Sequence, residues 1–586
     1  MKIFLLALTN LFSIFCFGQI PSLYRSPLDI PLRLISGFGD IRTDHFHAGY
    51  DISTQNKSQP LYAIEEGYVS RFKVSNTGFG NAIYINHPDG YQSVYAHMQK
   101  FSDLLDSIAK KILFEKKRYD FDTILTNKSV YIKKGELIGY SGTTGHSSGH
   151  HLHFEIRDHL SEKVMNPWFL GFFEHDSVSP EIWSVQIFPG NKSAVINQQN
   201  KPLMISLLPE SSKSKKEIPK KNKMPEVSGW IGFGFKGGDK ISEADNPMAI
   251  YDMKLEIDSQ QVFHARFDEF EFNDTRCVNG FIDYPARIKS GDRIIRCVVP
   301  DHNMVGIYRS NKHQGYFYFQ ENRVYNIRFI LTDKAGNSKI QDFQVQGSAP
   351  TETDQKNSVK EAGFLVIPGK QETIVGDGFQ AIIGSESIFD TTSIAFSETK
   401  LKNACSNEFS LGETTIGLNK PIIIRFKPIL TSPESKNKLV IVRSSGNTST
   451  GIGSTWNQEW IEGLTKRFGK FRVVEDHSGP VIKMIIQNPE KPKPVKGKKR
   501  KKSATLKPQL PAAKGRLAFF VKDSQAGVKD IRAYLNGKWV LLEPGDNEGQ
   551  LDFIFPKELD EGQYTFRLEA TDNLGNLSIK ETQFKK

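Results

Sequence analysis

The chain has 586 residues, 38% of them hydrophobic and 24% charged, a composition that suits three to five folded domains and excludes a disordered or fibrous chain. Its formal charge of +11 is concentrated in two runs: Lys213–Lys223 carries six lysines and one glutamate, and Lys491–Lys507 carries nine basic residues and no acidic one. With those +5 and +9 removed the remainder stands at −3, so the folded parts are nearly neutral and a nucleic-acid partner is not expected.

The chain opens MKIFLLALTNLFSIFCFGQ. A basic start at Lys2, an apolar run over Ile3–Phe17 and small Gly18 before Gln19 predict a signal peptide over residues 1–18. An uncleaved anchor is the alternative, but the run is short and Asn10 interrupts it. No later stretch holds eighteen apolar residues, so no integral membrane segment is expected after cleavage. The expected location is exported, periplasmic or extracellular. Cys277 and Cys297 lie twenty apart and are either bridged or buried free thiols, while Cys405 has no obvious partner. No C-x-x-C pair points to a thiolate metal site or a redox function.

Residues 19–185 read as mostly β. PLYAIEEGYVSRFKV is followed by glycines at 78 and 80, and NAIYINH and YQSVYAHM flank the hairpin signal Pro88-Asp89-Gly90. Between residues 101 and 128 the apolar spacing turns helical, which predicts a helical insertion between strands. HLHFEIR is again a strand. Residues 186–350 and 351–475 are expected to be two further β-rich domains, the second without a readable role. Residues 476–586 comprise a basic linker and a last β domain.

One segment is used twice. YNIRFILTDKAGNSK from Tyr325 matches YTFRLEATDNLGNLS from Tyr564, aligning Arg328 with Arg567, Thr332-Asp333 with Thr571-Asp572, and Gly336-Asn337 with Gly575-Asn576. A strand, a tight polar turn and a return strand are expected at both places. The pair resembles the last hairpin of bacterial immunoglobulin-like modules, which implies two related β-sandwiches. The fold class expected for the whole chain is mostly β, with an open N-terminal sheet carrying a helical insertion and sandwich modules behind it.

Ten of the 14 histidines lie between His45 and His175, which places the chemistry in the first third. His47-Ala48-Gly49-Tyr50-Asp51 puts an imidazole and a carboxylate four residues apart, where a turn brings both to one point. His151 and His153 fall on a predicted strand and share a face, because the side-chain period is two. Zinc takes imidazole nitrogens and carboxylate oxygens, and a catalytic site needs three of them. One of the two strand histidines is available to a metal and the other to substrate. His97 ends a strand and is placed to orient water or stabilise an oxyanion. The turn Gly142–Gly149 is rich in glycine, which lets backbone approach a substrate at Gly145, Ser147 and Gly149.

Each short motif is weak alone, but H-x-G-x-D, then Y-x-H, then G-x-T-G-x-S-x-G-x-H-L-H-F-E in this order is specific. It resembles the M23 zinc metallopeptidases, the LytM and lysostaphin-type peptidoglycan endopeptidases, over about residues 30–175. The resemblance implies one Zn2+ per chain held by His47, Asp51 and His153, with His97 and His151 as the catalytic histidines. It further implies a water attacking a peptide carbonyl of peptidoglycan, in a Gram-negative envelope at the D-Ala to diaminopimelate cross-link. Glu155 then either orients a histidine ring or serves the strand alone. His150 stands where many family members have proline, and His146 lies inside the turn; both are expected to be exposed loop histidines. The 101–128 insertion is expected to wall the groove, to act as a lid or to dock a partner. The β-rich C-terminal modules are the expected surface for an envelope protein partner. A non-catalytic or autoinhibited wall-binding scaffold of the same fold is the alternative.

Overall fold

The N-terminal sheet forms because its strands alternate apolar and polar residues along two faces. Gly67–Val74 buries Val69, Phe72 and Val74, and the phase changes at a register shift between Val69 and Arg71, where one residue bulges out of the ladder. From one edge to the other the sheet runs Leu34–Ser36, Tyr50–Ser53, His151–Asp158, Tyr91–Ala96, Ala82–Asn86, Gly67–Val74 and Phe121–Ile124, with every neighbour antiparallel. His151–Asp158 is central and buried on both faces up to its last residue. A smaller sheet of Pro60–Tyr62, Leu137–Ser141 and Met98–Phe101 packs beside it. The computed structural model describes residues 24–126, 128–171, 176–207, 224–241, 246–309, 312–349, 363–430, 432–485 and 515–586. The expected signal peptide, both basic runs and His175 lie outside the described residues. No helix among the described residues is long and apolar enough to cross a membrane.

The helical insertion is the helix Asp103–Lys116 followed by the edge strand Phe121–Ile124. Leu105, Ala109 and Leu113 recur every fourth residue and are buried, which gives the helix one apolar stripe. Asp103 and Asp106 sit in its first turn and Lys116 in its last, as the helix dipole favours. Its outer side meets the C-terminal module: the Phe114 and Trp539 rings lie edge to face at 5.5 Å, and Lys110 Nζ is 3.9 Å from Glu543.

The rest of the chain is also mostly β, in modules of open sheets, none closed into a barrel. In the second module the strand Glu226–Gly238 pairs with Glu181–Pro189, and Val324–Thr332 pairs with both Asp252–Ile257 and Ser338–Gly347. Val164–Met165 pairs with Glu269–Phe270, so this module is stitched to the N-terminal sheet. One buried apolar cluster accordingly runs from Leu28 to Val345 and takes in Phe389 of the third module. Two five-stranded sheets between Glu372 and Glu475 enclose a separate core, centred on Phe379 and Phe409 stacked at 4.4 Å. The last module has two four-stranded sheets over a third core.

The repeated segment is a hairpin in both places, with Tyr325 opposite Val345 and Tyr564 opposite Phe584. The likeness extends beyond it. Val481–Ile485 pairs with Arg516–Lys522 as Glu181–Pro189 pairs with Glu226–Gly238, and Asp530 faces Thr571 as Asp252 faces Thr332. Cys277, Cys297 and Cys405 are free and buried, and burial pushes the Cys277 thiol up to about 11.

Candidate metal centre

His47 and Asp51 come from the loop that leads into and begins Tyr50–Ser53. Phe46 anchors the loop, its fully buried ring meeting Phe267, Phe270 and Phe281 at 5.4, 5.8 and 5.4 Å. Gly49 lets the loop lie flat on the central strand, since a Cβ there would stand 2.3 Å from Phe154 O. Asp51 thereby becomes the cross-strand partner of His153, and Ala96 faces His153 from the other side. His97 follows Ala96 with a φ of 57°, a left-handed conformation uncommon for a residue with a side chain. The kink passes the chain from the large sheet to the small one and brings the imidazole to the same cleft.

Three ligand atoms converge. His47 Nε2 lies 3.1 Å from His153 Nδ1 and 3.1 Å from Asp51 Oδ1, and His153 Nδ1 lies 2.9 Å from Asp51 Oδ1. The opposite ring nitrogens are held by groups that can only accept: His47 Nδ1 donates to Gly37 O at 2.8 Å, and His153 Nε2 donates to the Glu155 carboxylate at 2.8 Å. With both rings neutral, as ligation requires, these partners turn His47 Nε2 and His153 Nδ1 toward Asp51 Oδ1 as three donors to one point. A tetrahedral zinc with bonds of about 2.0–2.2 Å sets its donors about 3.3–3.6 Å apart, so the cluster need open only slightly to receive one. Burial works against the Asp51 carboxylate, yet His47 and His153 beside it hold it well below the usual range. Arg42 Nη2 binds Asp51 Oδ2 at 2.5 Å and leaves Oδ1 facing the two imidazoles. His47, Asp51 and His153 thus form an M23-type zinc-binding triad, geometrically consistent with a single ion.

His97 and His151 stand at the edge of the triad, with ring centroids 4.8 Å apart. His97 Nδ1 donates to Thr144 O and His151 Nδ1 to Gly149 O, both at 2.8 Å, which leaves each Nε2 unprotonated. His151 Nε2 is 3.6 Å from Asp51 Oδ1. Burial is the main cause that lowers both rings, taking His97 down to about 3.

The glycine-rich turn is heterogeneous. Gly145 has a φ of 78°, and a Cβ on it would meet Gly78 O at 2.4 Å, so it packs against the 78–80 turn. Ser147 Oγ donates to Gly149 O at 2.7 Å and lies 3.3 Å from His151 Nδ1, while Gly149 faces open space. His146 is exposed and pairs with Glu548 of the last module at 2.7 Å. His150 is half-buried, and its Nδ1 has no hydrogen-bond partner. Glu155 is fully buried and ion-paired with Arg157 at 2.6 Å, so it both orients His153 and belongs to the strand.

Beside the triad lies a cleft of about 460 Å³. Its walls include Phe272 and Arg276 of the second module and Asn419, Lys420 and Lys466 of the third. The helix of the insertion does not line it. Arg42 and these wall residues were not among the residues expected from sequence. The wall residues lie more than 110 positions from the histidine motifs, and no spacing links them.

Residues 45–110 and 118–167 match the model of peptidase family M23, and residues 365–476 match that of the Zu5-like domain. The N-terminal region therefore has an M23-type metallopeptidase fold. The DD-carboxypeptidase/endopeptidase Mpg of Neisseria meningitidis serogroup B is 29% identical over 140 residues, 23% of this chain and 26% of that protein. The murein hydrolase activator NlpD of Escherichia coli is 32% identical over 135 residues, 23% of this chain and 28% of that protein. The chain thus spans about a quarter of the length of these curated relatives. The catalytic domain of the antimicrobial peptidase lysostaphin from Staphylococcus simulans is 26% identical, covering 24% of this chain and 92% of that one with a TM-score of 0.18.

Proposed function

We propose that the N-terminal region is a zinc-dependent endopeptidase that hydrolyses peptide cross-links of peptidoglycan. The observation that carries this reading is the arrangement of His47, His151 and His153 about Asp51, each with one nitrogen tied back by a carbonyl or carboxylate and the other turned toward Asp51 Oδ1. His47, Asp51 and His153 would hold one Zn2+, which supplies a Lewis acid that acidifies water and polarises the scissile carbonyl. His151 Nε2 accepts the proton of the attacking water and returns it to the leaving amine. The His97 ring lies beside those of His151 and His153, at 4.8 and 5.8 Å. Its Nδ1–H is committed to Thr144, so it donates to an oxyanion only as the imidazolium. Gly149 and Ser147 border the substrate path beside His151. The Neisseria relative is a DD-carboxypeptidase/endopeptidase, which supports a peptidase reading.

A second reading is a scaffold that regulates another wall hydrolase. It is favoured by the enclosure of the site: the triad and both further histidines are buried, and the cleft is walled by residues of two other modules. The Escherichia coli relative is a murein hydrolase activator, which supports it.

The test is to incubate the full chain with cross-linked peptidoglycan, with zinc or with a chelator, and to identify the released peptides by mass spectrometry. Chelator-sensitive release that is absent from His151→Ala is the expected result. A chain that carries one zinc and releases nothing would overturn the enzyme reading in favour of the scaffold.

A further inference from the structure

Two clusters of three aspartates lie far from the zinc triad: Asp176, Asp239 and Asp333 in the second module, and Asp476, Asp523 and Asp572 in the last. Within each, one carboxylate oxygen per residue lies within 4.8 Å of the others. All are buried except Asp523, which is half-buried.

The two clusters are built alike. Asp333 Oδ1 accepts the backbone N–H of Gly336 and Asn337 at 2.7 and 2.9 Å, and Asp572 Oδ1 accepts those of Leu574 and Asn576 at 2.9 and 2.8 Å. Asn337 Nδ2 donates to Asp333 Oδ2 and to Asp176 O at 2.7 and 3.0 Å; Asn576 Nδ2 donates to Asp572 Oδ2 and to Asp476 O at 2.8 and 2.9 Å. Asp176 Oδ1 accepts from Val178 N at 2.9 Å and Asp476 Oδ1 from Ser478 N at 3.0 Å, each four residues before a proline that leads into a strand. The third members follow the ends of equivalent strands, Glu226–Gly238 and Arg516–Lys522.

Hydrogen bonds within such a cluster explain a turn, but they leave something over. Asp239 Oδ1 in the first cluster and Asp476 Oδ2 in the second are buried without any hydrogen-bond partner, on residues 7% and 4% exposed. A buried carboxylate oxygen without a partner is costly, and one occurs in each copy on a different member, so the deficit belongs to the cluster. Among the described residues no lysine or arginine is ion-paired with Asp239, Asp333, Asp476, Asp523 or Asp572. Lys438 reaches Asn576 Oδ1 and Leu574 O. Burial, with the Asp176 and Asp333 charges next, pushes the Asp239 carboxyl up to about 8.

We propose that each cluster is a binding site for a hard divalent cation of the calcium class, so that the chain carries two such sites besides the zinc triad. The donors are all oxygens, which suits calcium rather than zinc. Calcium bonds of about 2.3–2.6 Å place donors up to about 5 Å apart across the ion, which accommodates the observed spread. Each site gathers three segments: the chain arriving from the previous module, a strand end, and the repeated hairpin. Asp176 follows the M23 match by nine residues and Asp476 is the last residue of the Zu5-like match, so both sites stand where one module hands the chain to the next. A bound ion would pin that junction.

The experiment is equilibrium dialysis of the full chain against radiolabelled calcium up to a few millimolar, with zinc content measured in parallel. Two calcium ions per chain are expected, with dissociation constants of about 10⁻⁴–10⁻³ M or tighter. Asp239→Asn and Asp523→Asn are each expected to bind one ion and the double variant none, with zinc content unchanged. Asp523→Asn retains a side-chain oxygen for the Gln525 and Gly527 amides that Asp523 now serves, so that variant keeps the test open should Asp239→Asn fail to fold. No calcium bound by the folded wild-type chain, or two ions still bound by Asp523→Asn, would overturn the proposal.

Discussion

Glu155 accepts the Nε2–H of His153 at 2.8 Å while Arg157, on the same face of the strand two residues on, holds its other oxygen at 2.6 Å. The pair fixes which nitrogen of His153 faces Asp51. Glu155 pulls His153 up to about 9 together with Asp51, against the effect of burial. A carboxylate behind a ligating imidazole raises its basicity and fixes its ring. Glu155→Gln keeps an acceptor but loses the charge, and it is expected to weaken zinc binding about 10–100-fold with the fold retained. A competition titration against a zinc chelator, with circular dichroism as the control, measures this. Unchanged affinity would leave Glu155 a strand residue only.

The triad and its neighbours separate by readout. His47→Ala, Asp51→Ala and His153→Ala each remove one of three donors, so bound zinc should fall from one per chain to near zero and hydrolysis with it. His151→Ala removes no donor of the triad. It should keep the zinc and lose on the order of 10²–10⁴-fold in turnover, the usual worth of a general base. Metal analysis beside a peptidoglycan digest decides it. His153→Ala with metal and activity intact would remove the ligand assignment.

The zinc triad was legible because its residues sit at short fixed intervals on adjacent strands. H-x-x-x-D spans one turn and H-x-H obeys the strand period. The repeated hairpin was legible for the same reason, being one continuous segment. What stayed hidden depends on topology. Asp176 and Asp239 are 63 positions apart and meet only because two strands run side by side, so the hairpin showed Asp333 but not its companions. Arg42 precedes Asp51 by nine residues in an irregular loop, where no periodicity applies. The helix was expected as a wall, lid or docking surface, and its stripe told only that one side is buried. Phe114 and Lys110 meet the last module, while the cleft walls come from elsewhere.

The seam between the first two modules should be acid-labile. Asp268 precedes the Glu269–Phe270 strand that pairs with Val164–Met165, and its carbonyl accepts Asn166 N at 2.8 Å. Burial opposes the charge on its carboxylate, but the Tyr251 hydroxyl at 2.5 Å, Arg266 at 2.7 Å and Lys334 at 3.4 Å hold it down to about 2. A carboxyl lowered in the folded state contributes stability that is present above its unfolded value of about 3.9 and is lost as pH falls through the folded value. The loss therefore falls between about pH 4 and pH 2. Asp268→Asn should lower the melting temperature at neutral pH and flatten its decline across that window. Parallel melting curves for the two proteins would show the cluster to be idle if they declined with equal slope.

Arg276 bolts the cleft wall together. Its Nε donates to Leu418 O at 3.0 Å, Nη2 to Lys466 O at 3.0 Å, and Nη1 to Asp44 Oδ2 at 2.9 Å, so one guanidinium ties three modules around the triad. Arg276→Ala leaves two carbonyls and a carboxylate without this donor, at a cost of roughly 2–4 kcal/mol. The wall it releases stands beside His47 and His153. If this wall limits access, the variant should gain several-fold in turnover of intact cross-linked peptidoglycan and change little on a short soluble peptide that already fits. Zinc content should stay at one, since Arg276 touches none of the three ligands. Equal effects on both substrates would mean that the wall positions the peptide rather than screening it, and a loss on both would make the contact between modules part of the working site.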